Sequence, residues 1–249
     1  MQLWGLTDPG NLREQNQDSY AMLSFSRDRS LMIVCDGMGG AKSGNVASSL
    51  AVDVFTDEVR RCQKSGLTPE RAAEILRGAL ELANKAVYEQ AQLSDDFSGM
   101  GTTLVSAFVQ GRNASIMNVG DSRAYIMSGG TLRQISEDHS YVEEMRRLGR
   151  ISEADARSHP QKNLITRAVG VDATVEGDLF EQTLADGDIL LLCSDGLTGM
   201  VEDGKIAEVL AGAGTLEDKG RELLTLALEG GGRDNITVAL FTCGAKQEA

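Results

Sequence analysis

Leu31-Met32-Ile33-Val34-Cys35-Asp36-Gly37-Met38-Gly39-Gly40 sets a run of five apolar residues directly against an aspartate and a glycine cluster. Such a run belongs in a buried strand, where an ionised carboxylate is costly unless it is paired or holds a metal. The glycines let the backbone turn sharply after Asp36, so that the Gly37 carbonyl can approach an ion. Neither nucleotide template fits. A P-loop would place glycine directly before the lysine, where Ala41 stands, and the dinucleotide fingerprint would need a third glycine at Lys42. A comparable local setting surrounds Asp18, Asp121, Asp195 and Asp234, most of them following an apolar run and touching a glycine or small polar residue. Each of these segments alone reads as a turn. Five carboxylates brought together by strand ends would instead make a hard, all-oxygen site, suited to Mg²⁺ or Mn²⁺ rather than Zn²⁺.

Outward from this stretch, residues 19–25 alternate as a strand does, and further strands are predicted at 102–109, 114–119, 123–127, 189–193 and 236–242. Two helices follow the first strands. Leu50, Val54, Phe55 and Val59 keep a period near 3.6, and Thr68-Pro69-Glu70 opens a second helix with an apolar face at Ile75, Leu76, Ala79, Ala83 and Val87. Late helices are predicted near 206–210 and 216–228, the second behind the capping box Thr215-Leu216-Glu217-Asp218. Strand blocks separated by helix pairs indicate α+β with antiparallel sheets rather than a parallel α/β sheet. Residues 141–171 read differently. They are charged, carry a helix-like 142–148 and a second capping box at Ser152 to Asp155, and form a surface insertion near the site.

At 249 residues the chain suits one large domain with a full core. Its hydrophobic content of 41% and mean hydropathy of −0.18 are those of a soluble globular protein. No apolar stretch is long enough for a membrane span, and no leader pattern opens the chain, so a cytoplasmic location is expected. The four cysteines form no Cys-x-x-Cys pair and read as reduced core thiols. None is followed six positions later by arginine, which argues against a thiol-nucleophile phosphatase loop. A net charge of −13 disfavours nucleic acid as a partner.

The ordered set Gly10-x-x-Arg13-x-x-Asn16-x-Asp18, Asp36-Gly37-Met38-Gly39-Gly40, Gly101-Thr102-Thr103, Asn118-Val119-Gly120-Asp121-Ser122-Arg123, Asp138-His139-Ser140, Cys193-Ser194-Asp195-Gly196-Leu197 and Gly232-Arg233-Asp234-Asn235 resembles the metal-dependent protein phosphatases of type 2C, the PPM family. The match spans essentially the whole chain, and its compact length is similar to the bacterial catalytic domain that usually partners a Ser/Thr kinase. The resemblance implies a central β-sandwich of two antiparallel sheets flanked by helix pairs (α-β-β-α), with residues 141–171 as a small helical flap. It implies hydrolysis of phosphoserine and phosphothreonine on proteins by in-line attack of a metal-bridging water. Asp36 would bridge two Mn²⁺ or Mg²⁺ ions, with the Gly37 carbonyl on one and Asp195 and Asp234 on the other. Asp18 would orient metal-bound water or bind metal, and Asp121 with Asp195 would hold a third, weaker ion. Arg13 would engage the substrate phosphate. A monomer acting on phosphoproteins follows; the alternative is a PPM-fold phosphatase for an anti-anti-sigma-type regulator or a small phosphorylated metabolite. Two positions depart from many eukaryotic members: Gln17 replaces glutamate, and Met38 replaces the histidine proposed there as general acid. Metal-bound water is one alternative source of that proton and His139 a second, though a histidine beside Asp138 also reads as structural. His159 reads as a surface residue, and Lys42 and Arg123 as solvated or structural charges.

Overall fold

In the computed structural model, which describes residues 1–39, 43–152, 155–156 and 159–243, the run that ends at Asp36 is the second strand of a six-stranded sheet. That sheet holds β2 (Asp18–Ser26), β3 (Arg29–Met38), β5 (Leu104–Gln110), β6 (Asn113–Val119) and β9 (Asp178–Thr183) in that order, with the two-residue β4 (Gly101–Thr102) paired to the end of β3. A five-stranded sheet runs β1 (Gln2–Asp8), β11 (Ile236–Thr242), β10 (Ile189–Cys193), β7 (Arg123–Ser128) and β8 (Thr131–Gln134). Every strand pair is antiparallel.

The apolar runs are continuous because their strands are buried on both faces. On β3, Met32 and Val34 point between the sheets, where they meet Ile116, Leu190, Leu192 and Phe241. Leu31, Ile33 and Cys35 point outward, against α1 (Gly44–Cys62) and α2 (Pro69–Ala91). On β10 the alternation repeats: Leu191 and Cys193 face α5 (Asp203–Ala211) and α6 (Leu216–Glu229). The layers are therefore helix pair, sheet, sheet, helix pair, as the resemblance implies. Thr68 caps α2 by accepting the Arg71 N–H, and Thr215 and Asp218 complete the capping box of α6.

Residues 141–171 leave the five-stranded sheet after β8 and return to the other. Their base is closed by a bridge between Ser140 and Ile165, and α3 (Tyr141–Arg147) is capped by Ser140. Ser152 and Asp155 make the reciprocal bonds of the second capping box. The strand expected at 102–109 is interrupted: Thr103 leaves the ladder between β4 and β5 to bind Asp36 on both sides of its peptide unit. The four cysteines are free, with Cys35, Cys193 and Cys243 buried.

Candidate metal centre

The five aspartates lie at one end of the sandwich because the strand registers bring them there. Asp18 at the start of β2 is the register partner of Asp36 near the end of β3. Asp195 follows β10 and opens the short helix α4 (Asp195–Thr198), while Asp234 precedes β11, the antiparallel neighbour of β10. Asp121 sits in the turn between β6 and β7.

Asp18 has the most prepared setting. Its Oδ2 accepts from Ser194 Oγ at 2.7 Å and from Thr237 Oγ1 at 2.6 Å. The proton directions can be assigned: Asn16 Nδ2 donates to Thr7 Oγ1, Thr7 donates to Thr237 Oγ1, and Thr237 is left to donate to Asp18. Its other oxygen, Oδ1, is buried without a hydrogen-bond partner, and Asp195 Oδ1 is in the same condition. Orphaned buried carboxylate oxygens call for a cation or a proton. Burial pushes the Asp18 carboxyl up to about 7, against the two hydroxyl donors and with the help of Asp195 and Asp234. Burial likewise raises Asp36 well above the usual carboxylate range, reinforced by Asp18, Asp195, Asp121 and Asp234. Asp195 is raised by burial and by Asp234, and lies within hydrogen-bonding reach of Asp36. Asp121 is pushed up to about 8 by burial and by Asp195 and Asp138.

Among the described residues no three of these side chains form a closed ligand shell. They stand instead as a mutually repelling acidic set, all hard oxygen donors, two of whose buried oxygens lack partners; this chemistry fits divalent Mg²⁺ or Mn²⁺. Gly37 is packed tightly beside this set. Its N–H donates to the Gln17 carbonyl at 3.1 Å, and a Cβ there would lie 2.0 Å from the Gly44 oxygen, so no larger residue fits. Thr102 and Thr103 fix the Asp36 backbone: Thr103 Oγ1 accepts the Asp36 N–H, and the Asp36 carbonyl accepts from Thr102 Oγ1 and Thr103 N–H, each at 2.9 Å.

Arg13 is half exposed, and its Nη2 lies 2.8 Å from Asp234 Oδ2. The guanidinium expected on a phosphate thus rests on one of the carboxylates expected to bind metal. Arg123 does not pair with Asp121; it forks onto both oxygens of Asp138 and binds Tyr125 Oη, a structural role. His139 is 7% exposed and is also accounted for. Its Nδ1 accepts the Gly120 N–H at 3.0 Å, so its Nε2–H faces Asp178 Oδ2 at 3.1 Å, and burial lowers its pKa. A neutral, enclosed imidazole committed at both nitrogens is a poor proton donor for the reaction. His159 packs its ring 5.9 Å from that of Tyr141. Lys42 lies outside the described residues.

Beside Asp121 and Asp195 opens a cleft of about 710 Å³, walled by α3 of the flap on one side and by Thr198, Met200 and Glu202 on the other. Ser194, Thr237, Thr103 and Asn235 shape the site, although no role for them is legible from sequence. Ser194, Thr103 and Asn235 stand within quoted motifs, which was the available signal; Thr237 had none.

The protein phosphatase 2C family model matches residues 13–226. The chain is 42% identical to the serine/threonine phosphatase Stp of Listeria monocytogenes over 234 residues, covering 94% of this chain and 92% of that one. It superposes on the serine/threonine phosphatase structure of S. agalactiae with a TM-score of 0.90 at 39% identity, covering 96% of this chain and 98% of that one. For Stp1 of Staphylococcus aureus the TM-score is 0.91 at 37% identity, covering 98% and 95%. With the carboxylate-bearing strand ends, the α-β-β-α layers and these likenesses in agreement, the chain belongs to the protein phosphatase 2C family.

Proposed function

We propose that this chain is a metal-dependent phosphatase that removes phosphate from serine and threonine on proteins. The convergence of five carboxylates, with the buried oxygens Asp18 Oδ1 and Asp195 Oδ1 lacking any partner, carries this reading. Asp36, Asp195, Asp234 and the Gly37 carbonyl would hold two Mn²⁺ or Mg²⁺ ions, and Asp121 with Asp195 a weaker third. When bound, the ions supply an activated water and screen the phosphoryl oxygens. Asp18 keeps its Oδ2 on Ser194 and Thr237, and its unpartnered Oδ1 would orient that water. Arg13, half exposed and on a loop, moves from Asp234 to the phosphate oxygens when substrate arrives. Leaving-group protonation draws on no side chain at position 38, because Met38 has no proton to give. The cleft beside the flap takes the polypeptide around the phosphorylated residue.

The physiological setting we propose is a cytoplasmic monomer, one catalytic domain, opposing a bacterial Ser/Thr kinase. Among the described residues no helix is long and apolar enough to cross a membrane. Turnover of a phosphothreonine peptide with Mn²⁺, with and without chelator, tests the activity: release of phosphate that chelation abolishes is expected. Faster turnover of a sugar phosphate under the same metal would move the reading to a metabolite phosphatase.

A further inference from the structure

Arg13 lies on the connection between β1 and β2, residues 9–17, which has no helix or strand of its own and is exposed from Asn11 to Gln15. Such a loop does not hold a guanidinium in one place unless its backbone is pinned from outside. Asn11 ties the start of the loop to residues 228–232, and one further side chain binds the loop on both sides of Arg13. The amide of Asn235, 4% exposed, donates from Nδ2 to the Pro9 carbonyl and to the Gln15 carbonyl, both at 3.0 Å, and its Oδ1 accepts the Gln17 N–H at 2.8 Å. These partners bracket Arg13 on both sides, and they use both donors of the amide and one of its two acceptor positions. The backbone of Asn235 acts on the other half of the contact: its N–H donates to Asp234 Oδ1 at 2.9 Å, leaving Oδ2 for Arg13. The loop is drawn against this strand so closely that a Cβ at Gly10, whose φ is +76°, would lie 2.3 Å from the Asp234 oxygen.

We propose that Asn235 is the positioning residue of the phosphate-binding loop, acting on substrate affinity through Arg13. The proposal rests on the phosphate-binding role of Arg13 given above. Aspartate at 235 has the same shape but sets a carboxylate oxygen against two carbonyls, and serine is too short to reach all three partners.

The test is a double-mutant cycle on a phosphothreonine peptide at saturating Mn²⁺, with Arg13→Ala, Asn235→Asp and the two combined; Asn235→Ser replaces Asn235→Asp if the latter does not fold. Each single variant is expected to raise KM by about tenfold, the lower range for a charged hydrogen bond, with kcat changed by less than about threefold. The combination should be no worse than Arg13→Ala alone, because Asn235 then has nothing left to position. KM increases that multiply would overturn the proposal. So would a fall in Mn²⁺ affinity with KM unchanged, which would assign Asn235 to the carboxylates instead. Thr215→Ala, at the exposed start of α6, reports what loss of stability alone does and should leave KM unchanged. Amide hydrogen exchange of residues 10–17 separates the two readings. If Arg13→Ala leaves KM at wild type, the phosphate reading falls. Faster exchange in the Asn235 variant would still support positioning of the loop, and unchanged exchange would overturn it.

Discussion

Asp18 stays usable as an anion in a buried setting because two hydroxyls are aimed at one of its oxygens, themselves ordered by a chain running back through Thr7 to Asn16. Removing one link should be felt at the metal. Thr237→Val keeps the shape of a β-branched residue in β11 but deletes a donor to a charged acceptor, so Mn²⁺ affinity, read by calorimetry, should fall about tenfold or more; unchanged affinity would show that Ser194 alone suffices. Asp121 presents a different question, since Arg123 makes its hydrogen bonds to Asp138 and reaches Asp121 through its charge alone. Asp121→Asn should therefore slow a phosphopeptide much more than an aryl phosphate, whose phenolate leaves without needing a proton, while the tighter ions stay bound. Equal slowing of both substrates, or none for either, would contradict the third-ion role, and no slowing at all is the result a turn residue predicts. At this scale the sequence revealed the carboxylates, because an aspartate after an apolar run is conspicuous by its cost. It could not reveal Ser194 or Thr237, whose only distinction is an acceptor 176 and 219 positions away. The motif marks Arg13 as a candidate phosphate ligand, whereas its contact with Asp234 follows from the path of its loop, which no local pattern shows.

Among the elements, the buried ones were readable, as was the edge strand β2, whose residues 19–25 alternate; the other three edges were not. β3, β10 and β11 carry continuous apolar runs because layers cover both faces, and the α1 and α2 faces repeat with helical period against Leu31 and Ile33. β1 and β8 lie at the two edges of one sheet and β9 at an edge of the other. Edge strands are short, half-solvated and polar, so Thr131–Gln134 and Asp178–Thr183 carry little periodic signal. The break at Thr103 leaves no sequence signal for another reason: a threonine that departs from a ladder to bind Asp36 looks like any strand residue when its partner is distant in sequence. Helix ends were legible, since capping chemistry is local. Thr215→Ala should accordingly cost about 1 kcal/mol and lower Tm by about 2–4 °C without changing kcat, measured by scanning calorimetry and phosphopeptide turnover. A fall in kcat would mean that α6 does more than cover β1 and β11.

For the molecule as a whole, the acidic end of the sandwich sets stability against readiness to bind metal. Burial, above all, pushes the Asp18 carboxyl from 3.8 up to about 7 and that of Asp121 up to about 8. A raised pKa means the folded state holds more protons than the unfolded one, so this stability is full below about pH 4 and is lost as pH rises through 7 to 8. With chelator, Tm should fall between pH 5.5 and pH 8, and fall less steeply in Asp121→Asn. Saturating Mn²⁺ should remove the slope, because the ions take the place of the protons. A chelated protein whose Tm is flat or rises over this window would contradict the assignment of these carboxylates as a mutually repelling buried set. The most direct test of the central claim, that this set is a divalent-metal site organised on Asp36, is calorimetric titration of Mn²⁺ into chelated and dialysed protein, wild type against Asp36→Asn. The wild type should take up at least two ions and release protons as it does so, and Asp36→Asn, which removes the bridging charge while keeping the shape, should lose tight binding. Equal stoichiometry and affinity in the two proteins would contradict it.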